Sequence, residues 1–333
     1  MTRYKSRKPH SGQSWQKREI HRKWQNIVGL FITGILTLAL TNGIVKSFSF
    51  GSELGRSNWD GDSSFAAVVN TTPHSILVFQ KEPKRLVLIP VREDLFMATG
   101  NPKKPFSKIG DLLEENNGEK KTVVSSRISR SSVDNYFLLE NRKKAGEEVL
   151  EDFSKSYGSF IAPFKIMSGT VSNIQDTNVT RIDQLRLWWQ LKGLSANNLE
   201  LVQFSNISEE IVTGTGSKIL GVDDVSLHRL FSTYLENQAF FESDKKIVIE
   251  DGSESASGQL AADFVNSVGG RVESVLQASV PVLHTIIIAD DKNSYEAEYL
   301  AKIFDCDITS LKNAPQGEIK VVVGEDFAQK YTL

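Results

Sequence analysis

The chain has 333 residues, 40% of them hydrophobic, which is enough for two compact domains and an anchor, and its formal net charge is −2. That charge is unevenly spread. Before Ile27 stand Arg3, Lys5, Arg7, Lys8, Lys17, Arg18, Arg22 and Lys23 against the single acid Glu19, so the remainder is net acidic and offers no clustered basic face for nucleic acid. The lone Cys306 excludes an intramolecular disulfide and multi-cysteine zinc sites; outside the cytoplasm it points to a bacterial surface rather than a secreted disulfide scaffold.

In chain order, residues 1–26 read as a basic cytoplasmic tail and 27–46 as a transmembrane helix. Ile27 to Val45 carries no charge. About 20 apolar residues at 1.5 Å each suffice for roughly 30 Å of hydrocarbon. Trp24 stands where an indole prefers the headgroup level, and only Lys46 and Arg56 follow the span closely. This asymmetry predicts a single-pass plasma-membrane protein with its N-terminus in the cytoplasm and its bulk outside. The rival, a cleaved signal peptide, needs small residues at its exit. Thr41-Asn42-Gly43-Ile44-Val45-Lys46-Ser47-Phe48 supplies no such site. The tail itself sets topology and touches anionic lipid, worth about 1 kcal/mol per basic residue.

Residues 47–64, rich in Gly, Ser and Asn, read as a tether, and 65–240 as a first folded region. Phe65–Val69, Ser75–Phe79 and Arg85–Pro90 are apolar runs separated by turn signals, hence adjacent strands. Lys103–Lys121 reads as a surface excursion with a short helical pattern at Ile109, Leu112 and Leu113. Val133–Phe153 reads as helical and Phe160–Ile166 as a further strand. Thr180-Arg181-Ile182-Asp183 fits a capping box ahead of Ile182, Leu185, Trp189 and Leu191, with Gly193 as the stop. The Trp188-Trp189 pair invites a ligand-platform reading, but the spacing favours a packed helix. Leu199–Phe204 alternates as a strand, and Val225–Leu235 is a helix with Leu227, Leu230, Phe231 and Leu235 on one side.

The region 245–330 has the cleaner pattern. Strands are expected at Lys246–Glu250, Arg271–Val275, His284–Ala289 and Ile319–Gly324, with helices at Ser257–Val268 and Ser294–Phe304. That β-α-β-β-α-β order predicts a ferredoxin-like split sandwich, so the whole chain is of mixed α/β class.

Two stretches carry a family resemblance. The run IEDGSESASGQLAADFVNSVGGRVESV, with the later HTIIIADD and IKVVVGEDF, resembles the C-terminal domain of LytR–CpsA–Psr proteins. The earlier FAAVVNTTPHSILVFQKEPKRLVLIPVREDLFM, SSVDNYFLLE and TNVTRIDQLRLWWQLKGLSANNLELVQF resemble a degenerate copy of that family's catalytic domain. The resemblance implies a bacterial envelope protein whose active relatives transfer lipid-linked anionic glycopolymer to peptidoglycan, using a divalent metal and a pyrophosphate pocket lined by arginines and acids. Such a pocket must neutralise a diphosphate, and its acid must hold the metal or accept a proton. This chain departs from the pattern. Gly61-Asp62-Ser63-Ser64 stands where the family has Arg-Ser-Asp, and Ile89-Pro90-Val91-Arg92-Glu93-Asp94 contains an extra residue.

Arg92 and Asp94, with Glu93 between them, are the candidate phosphate or metal residues, against a plain reading as a charged turn ending a strand. Arg127 and Arg130 are the other arginines to consider. Gly252–Gly258 precedes a helix N-terminus but lacks phosphate-loop and dinucleotide spacing. His74, His228 and His284 lack metal-ligand spacing. Asp290-Asp291 and Asp305-Cys306-Asp307 lack the spaced ligands of a calcium loop. The Asn70, Asn178 and Asn206 sequons mean nothing in a bacterial protein. The expectation is a membrane-anchored envelope protein that binds cell-wall glycan (peptidoglycan), polyprenyl-linked polymer or an envelope protein, with no nucleic acid and no cofactor. The alternative is a divergent glycopolymer phosphotransferase, which needs Mg²⁺.

Overall fold

The structure, a computed structural model, describes residue 57 and residues 59–333 except 102, 115–116, 172, 204–206, 215 and 311–316. The expected tail (1–26), membrane span (27–46) and the start of the tether lie outside the described residues. Among the described residues, no helix is long and apolar enough to cross a membrane.

The three apolar runs form β1 (Phe65–Val69), β2 (Ser75–Gln80) and β3 (Arg85–Pro90), an antiparallel meander with Ala67 opposite Leu77 and Leu77 opposite Leu88. There follow β4 (Phe96–Ala98), β5 (Phe106–Lys108), α1 (Ile109–Leu113), α2 (Gly118–Ser129), β6 (Asn135–Leu139), α3 (Gly146–Gly158), α4 (Ala162–Ser168), β7 (Ile174–Thr177), α5 (Arg181–Leu191), β8 (Leu199–Leu201), β9 (Ser208–Val212), β10 (Lys218–Val222), α6 (Asp224–Leu235) and α7 (Gln238–Phe241). Six strands make one mixed sheet in the order β7-β6-β1-β2-β3-β8; β5-β4-β10-β9 make a smaller one.

Period-two alternation assigns each face of the six-stranded sheet its own core. Ala66, Val68, Ile76, Val78, Val87 and Ile89 meet Val124 and Ile128 of α2 and Leu227 and Phe231 of α6. Phe65, Ala67, Leu77, Phe79, Leu86 and Leu88 meet Val149, Phe153 and Tyr157 of α3 and Leu187 and Leu191 of α5. Helices therefore cover both faces, which is why β1 to β3 read as unbroken apolar runs. Each fully buried Leu or Phe contributes about 1.5–3 kcal/mol.

The structure differs from expectation at several elements. Val133–Phe153 is not one helix: β6 pairs parallel to β1, with Phe137 opposite Val69, and α3 begins only at Gly146. Phe160–Ile166 is not a strand, because Pro163 stands in the first turn of α4 and Gly169, at φ 72°, caps its end. Ile109 and Leu113, expected on a surface excursion, are buried in the first core. The N-cap half of the expected capping box is present, with Thr180 accepting from the Asp183 amide at 3.1 Å, while the Asp183 carboxylate accepts from the Thr180 hydroxyl (2.8 Å) and the Ser57 hydroxyl (2.7 Å). However, the core face of α5 is Gln184, Leu187, Trp188 and Leu191 at i, i+3, i+4, i+7, so Trp189 points outward. The end of the expected tether is packed as well. The Trp59 indole donates to the Ser63 carbonyl at 2.9 Å and its ring lies 5.1 Å from Phe65; one buried indole outweighs the Gly/Ser composition around it.

Beyond α7 come β11 (Lys246–Asp251), α8 (Gly258–Ser267), β12 (Val272–Gln277), β13 (Ile286–Ala289), α9 (Tyr295–Phe304), β14 (Asp307–Ser310), β15 (Glu318–Val323) and α10 (Glu325–Tyr331). The strand and helix spans match expectation closely, but the sheet is not ferredoxin-like. Its order is β12-β11-β15-β13-β14, with β11 parallel to both β12 and β15, β13 parallel to β14, and only β13–β15 antiparallel. Two β-α-β crossovers therefore stand side by side, and the last apolar strand enters between them. The polar tetrapeptide Asp307–Ser310 forms the edge strand that apolar patterning misses.

Candidate functional site

Arg92 and Asp94 lie just after β3, on the surface. The Arg92 guanidinium donates to both Asp94 carboxylate oxygens, Nε to Oδ1 at 2.9 Å and Nη2 to Oδ2 at 2.5 Å. That bidentate hydrogen bond lowers the Asp94 pKa and raises that of Arg92. Each is the other's partner, so this corner presents a neutralised pair rather than a free cation.

Glu93 turns the other way. Its Oε1 accepts from the His74 backbone N–H at 2.7 Å and lies 2.7 Å from His74 Nδ1. On the far side of that ring, Lys121 Nζ is 2.9 Å from Nε2, and it also donates to the Leu113 carbonyl. An ammonium beside Nε2 leaves that nitrogen as acceptor and Nδ1–H as donor to Glu93. Burial depresses the His74 pKa most; the Glu93 hydrogen bond works against that, and the Lys121 charge adds to it. Lys121 is only 1% exposed. These residues are 19 and 47 positions apart, and His74 had no visible partner in the sequence.

Arg127 and Arg130 are not beside Arg92. Arg127, on α2, donates to the carbonyls of Ala98 (3.0 Å), Thr99 (3.2 Å) and Tyr331 (2.7 Å). Burial, then the neighbouring Arg130 charge, pulls its pKa down. Arg130 caps α2 at φ 52° and bonds Asp263 of α8 at 3.0 Å and Asp224 of α6. Both guanidiniums thus link the first sheet's helices to the last region. They line a cavity of about 160 Å³ together with Phe96, Phe106, Glu209 and Asp224. Pockets for drug-sized ligands run about 300–1,000 Å³.

The loop before α8 is closed by its own acid. Asp251 accepts from Ser253 N–H (3.0 Å) and Oγ (2.7 Å) and, through its other oxygen, from the Gly258 amide (2.8 Å). His284 is largely exposed, 3.6 Å from Asp326. Asp290 is held by the Asp291 amide and Lys245. Among the described residues, no group of three or more His, Cys, Asp or Glu side chains is placed to hold a metal. With Asp94 clamped by Arg92 and Glu93 engaged by His74, the donor set at this corner does not fit the divalent cation that the resemblance implies.

No family model matches the sequence, and no curated protein matches it. Solved structures similar in chain path include Bacillus subtilis TagV, at 11% identity and TM-score 0.38, over 52% of this chain and 96% of that one. A protein described as a transcriptional regulator from Enterococcus faecalis aligns at 11% identity and TM-score 0.37, over 65% of this chain and 99% of that one. A third is the LytR-CPS2A-psr family protein YwtF (TagT) with bound octaprenyl pyrophosphate lipid, at 10% identity and TM-score 0.33, covering 52% and 89%.

Proposed function

We propose that this chain is a membrane-anchored, extracytoplasmic cell-envelope protein that binds cell-wall glycan, lipid-linked polymer or an envelope partner without transferring the polymer. The observation that carries this reading is the engagement of the arginines. A phosphotransfer pocket turns several positive groups toward a diphosphate. Here Arg92 is chelated by Asp94, while Arg127 and Arg130 are held by internal carbonyls and carboxylates. The uncharged run Ile27–Val45 behind a basic tail supports the anchor and its orientation.

One observation favours the second reading, a divergent phosphotransferase: the cavity lined by Arg127 and Arg130. The two are separated with the full chain in lipid nanodiscs. It is incubated with peptidoglycan sacculi and a polyprenyl-pyrophosphate-linked glycopolymer, with Arg92→Ala alongside. Co-sedimentation without release of polyprenyl phosphate, equal in both proteins, is the result expected of a binder. Transfer of polymer to the sacculi overturns that reading.

A further inference from the structure

The layer of helices covering the second core ends in an apolar patch that stands exposed among the described residues. Phe160 is 78% exposed, Ile161 53%, Phe164 74% and Trp189 65%. Monomeric proteins rarely gather large aromatic groups this way without a partner surface. The patch is built, not frayed. Gly158 ends α3 close to the Leu191 carbonyl at the end of α5, so Phe160 emerges beside that helix. The Trp188 indole donates to the Ser159 carbonyl at 2.9 Å, and the Trp189 ring centroid lies 5.9 Å from that of Trp188. Pro163 and the Gly169 cap fix the short helix that carries Phe164.

Along the two segments that carry the patch, the charge is one-sided. No acid occurs from Ser159 to Gln175 or from Gln184 to Leu199. Within and beside these stretches lie Lys165 and Lys192, the latter with Nζ 5.5 Å from the Trp189 ring centroid, and Lys84 Nζ is 3.4 Å from the Lys192 carbonyl. The protein outside the N-terminal tail is net acidic, so a basic rim around aromatic groups is a local exception.

The chain's own connectivity names the occupant. Ser57 is bonded to the helix that carries Trp189: its Oγ donates to Asp183 at 2.7 Å and accepts from Arg186 at 2.6 Å. From residue 46 to that bond is a run of about ten residues, reaching at most roughly 35 Å. Aromatic side chains backed by lysines match the headgroup zone of an anionic bilayer, where indoles settle and cations meet anionic lipid. We infer that Phe160, Ile161, Phe164 and Trp189 form a membrane-contact surface, dipping into the anionic leaflet from which the chain is suspended. It rests on the anchor reading above, and gives the protein a fixed orientation on the bilayer.

The test uses the full chain in nanodiscs of phosphatidylcholine and phosphatidylglycerol, with nitroxide labels at Phe164→Cys or Trp189→Cys in a Cys306→Ser background. The exposed Val225→Cys, on the helix layer across the sheet, is the reference. Oxygen partitions into lipid and a water-soluble nickel chelate does not. The oxygen-to-nickel collision ratio is expected to be several-fold higher at 164 and 189 than at 225, and to fall when phosphatidylglycerol is omitted. Equal ratios at all three sites, with the chain retained in the disc, overturn the contact surface and leave the anchor standing. Failure of the chain to stay in the disc overturns both. Spin–spin broadening between copies, or shielding that appears only on adding peptidoglycan, assigns the patch to a second chain or to glycan and also overturns the inference.

Discussion

Arg130 Nη1 lies 3.0 Å from Asp263 Oδ2, joining the end of α2 to α8 across 133 residues of sequence. Both side chains are less than a quarter exposed, whereas the second partner, Asp224, is 63% exposed. Removing the guanidinium leaves Asp263, three-quarters buried, without its charged partner beside Gln259. Arg130→Gln is expected to cost about 1–3 kcal/mol in denaturant unfolding. Asp224→Asn is expected to cost under about 1 kcal/mol, because an exposed pair is screened. Equal losses from the two variants contradict this division.

His74 sets a pH dependence. Its folded pKa lies below 6.5, so the unfolded chain takes up a proton that the folded chain refuses. The resulting stability is fully present above 6.5 and is lost as pH falls through the depressed folded value. The stability difference between pH 7.5 and 5.5, read from urea midpoints, should shrink in His74→Gln, whose side chain is neutral throughout. An unchanged difference places the titration elsewhere.

Gly324 joins β15 to α10 where the chain passes the backbone of His284 and Thr285. A Cβ there lies 2.5 Å from the His284 carbonyl carbon and 2.7 Å from the Thr285 nitrogen, atoms that cannot rotate away. Gly324→Ala should therefore destabilise by about 1–3 kcal/mol. Gly193→Ala, with open space around its Cβ position, meets only the strain of its φ of 76° and is the milder comparison.

Cys306 should be inert in the folded protein. Burial pushes its thiol up to about 12, helped by the negative charges of Asp326, Asp307 and Asp305. The thiolate is the reacting form, so alkylation at pH 8 should run on the order of a thousandfold slower than for an unperturbed thiol. Mass spectrometry of iodoacetamide-treated protein, before and after unfolding in urea, measures this; rapid modification of the folded form refutes it.

Much of the architecture was readable from local patterns. The three apolar runs of the first sheet, the Thr180 cap and the first β-α-β run of the last region each depend on residues within a few positions of one another; the second crossover ends on the edge strand Asp307–Ser310, which the apolar pattern does not show. The failures are equally physical. The stretch Asn135–Leu139 carries apolar residues that suit helix or strand, and only the vacant edge of β1 decides for strand. Trp189 belongs to an apolar-looking helix, yet buried Gln184, bonded to Tyr157 Oη and the Val179 carbonyl, takes a core position instead. The site was less legible than the fold, because charge partners cannot be counted from one strand of sequence.

The sequence by itself determined the apolar segment behind a basic tail, the three adjacent strands β1 to β3, and the Thr180 start and Gly193 stop of α5. These follow from spacing, side-chain size and backbone preference over a few residues. Only the tertiary structure decided that β15 enters the middle of its sheet, that His74 lies between Glu93 and Lys121, and that Arg127 and Arg130 hold the molecule together. Each is a meeting of groups far apart in the chain, and its outcome depends on how whole layers pack. An arginine at a suggestive position is a candidate ligand until closure of the fold supplies a carboxylate or a carbonyl within 3 Å.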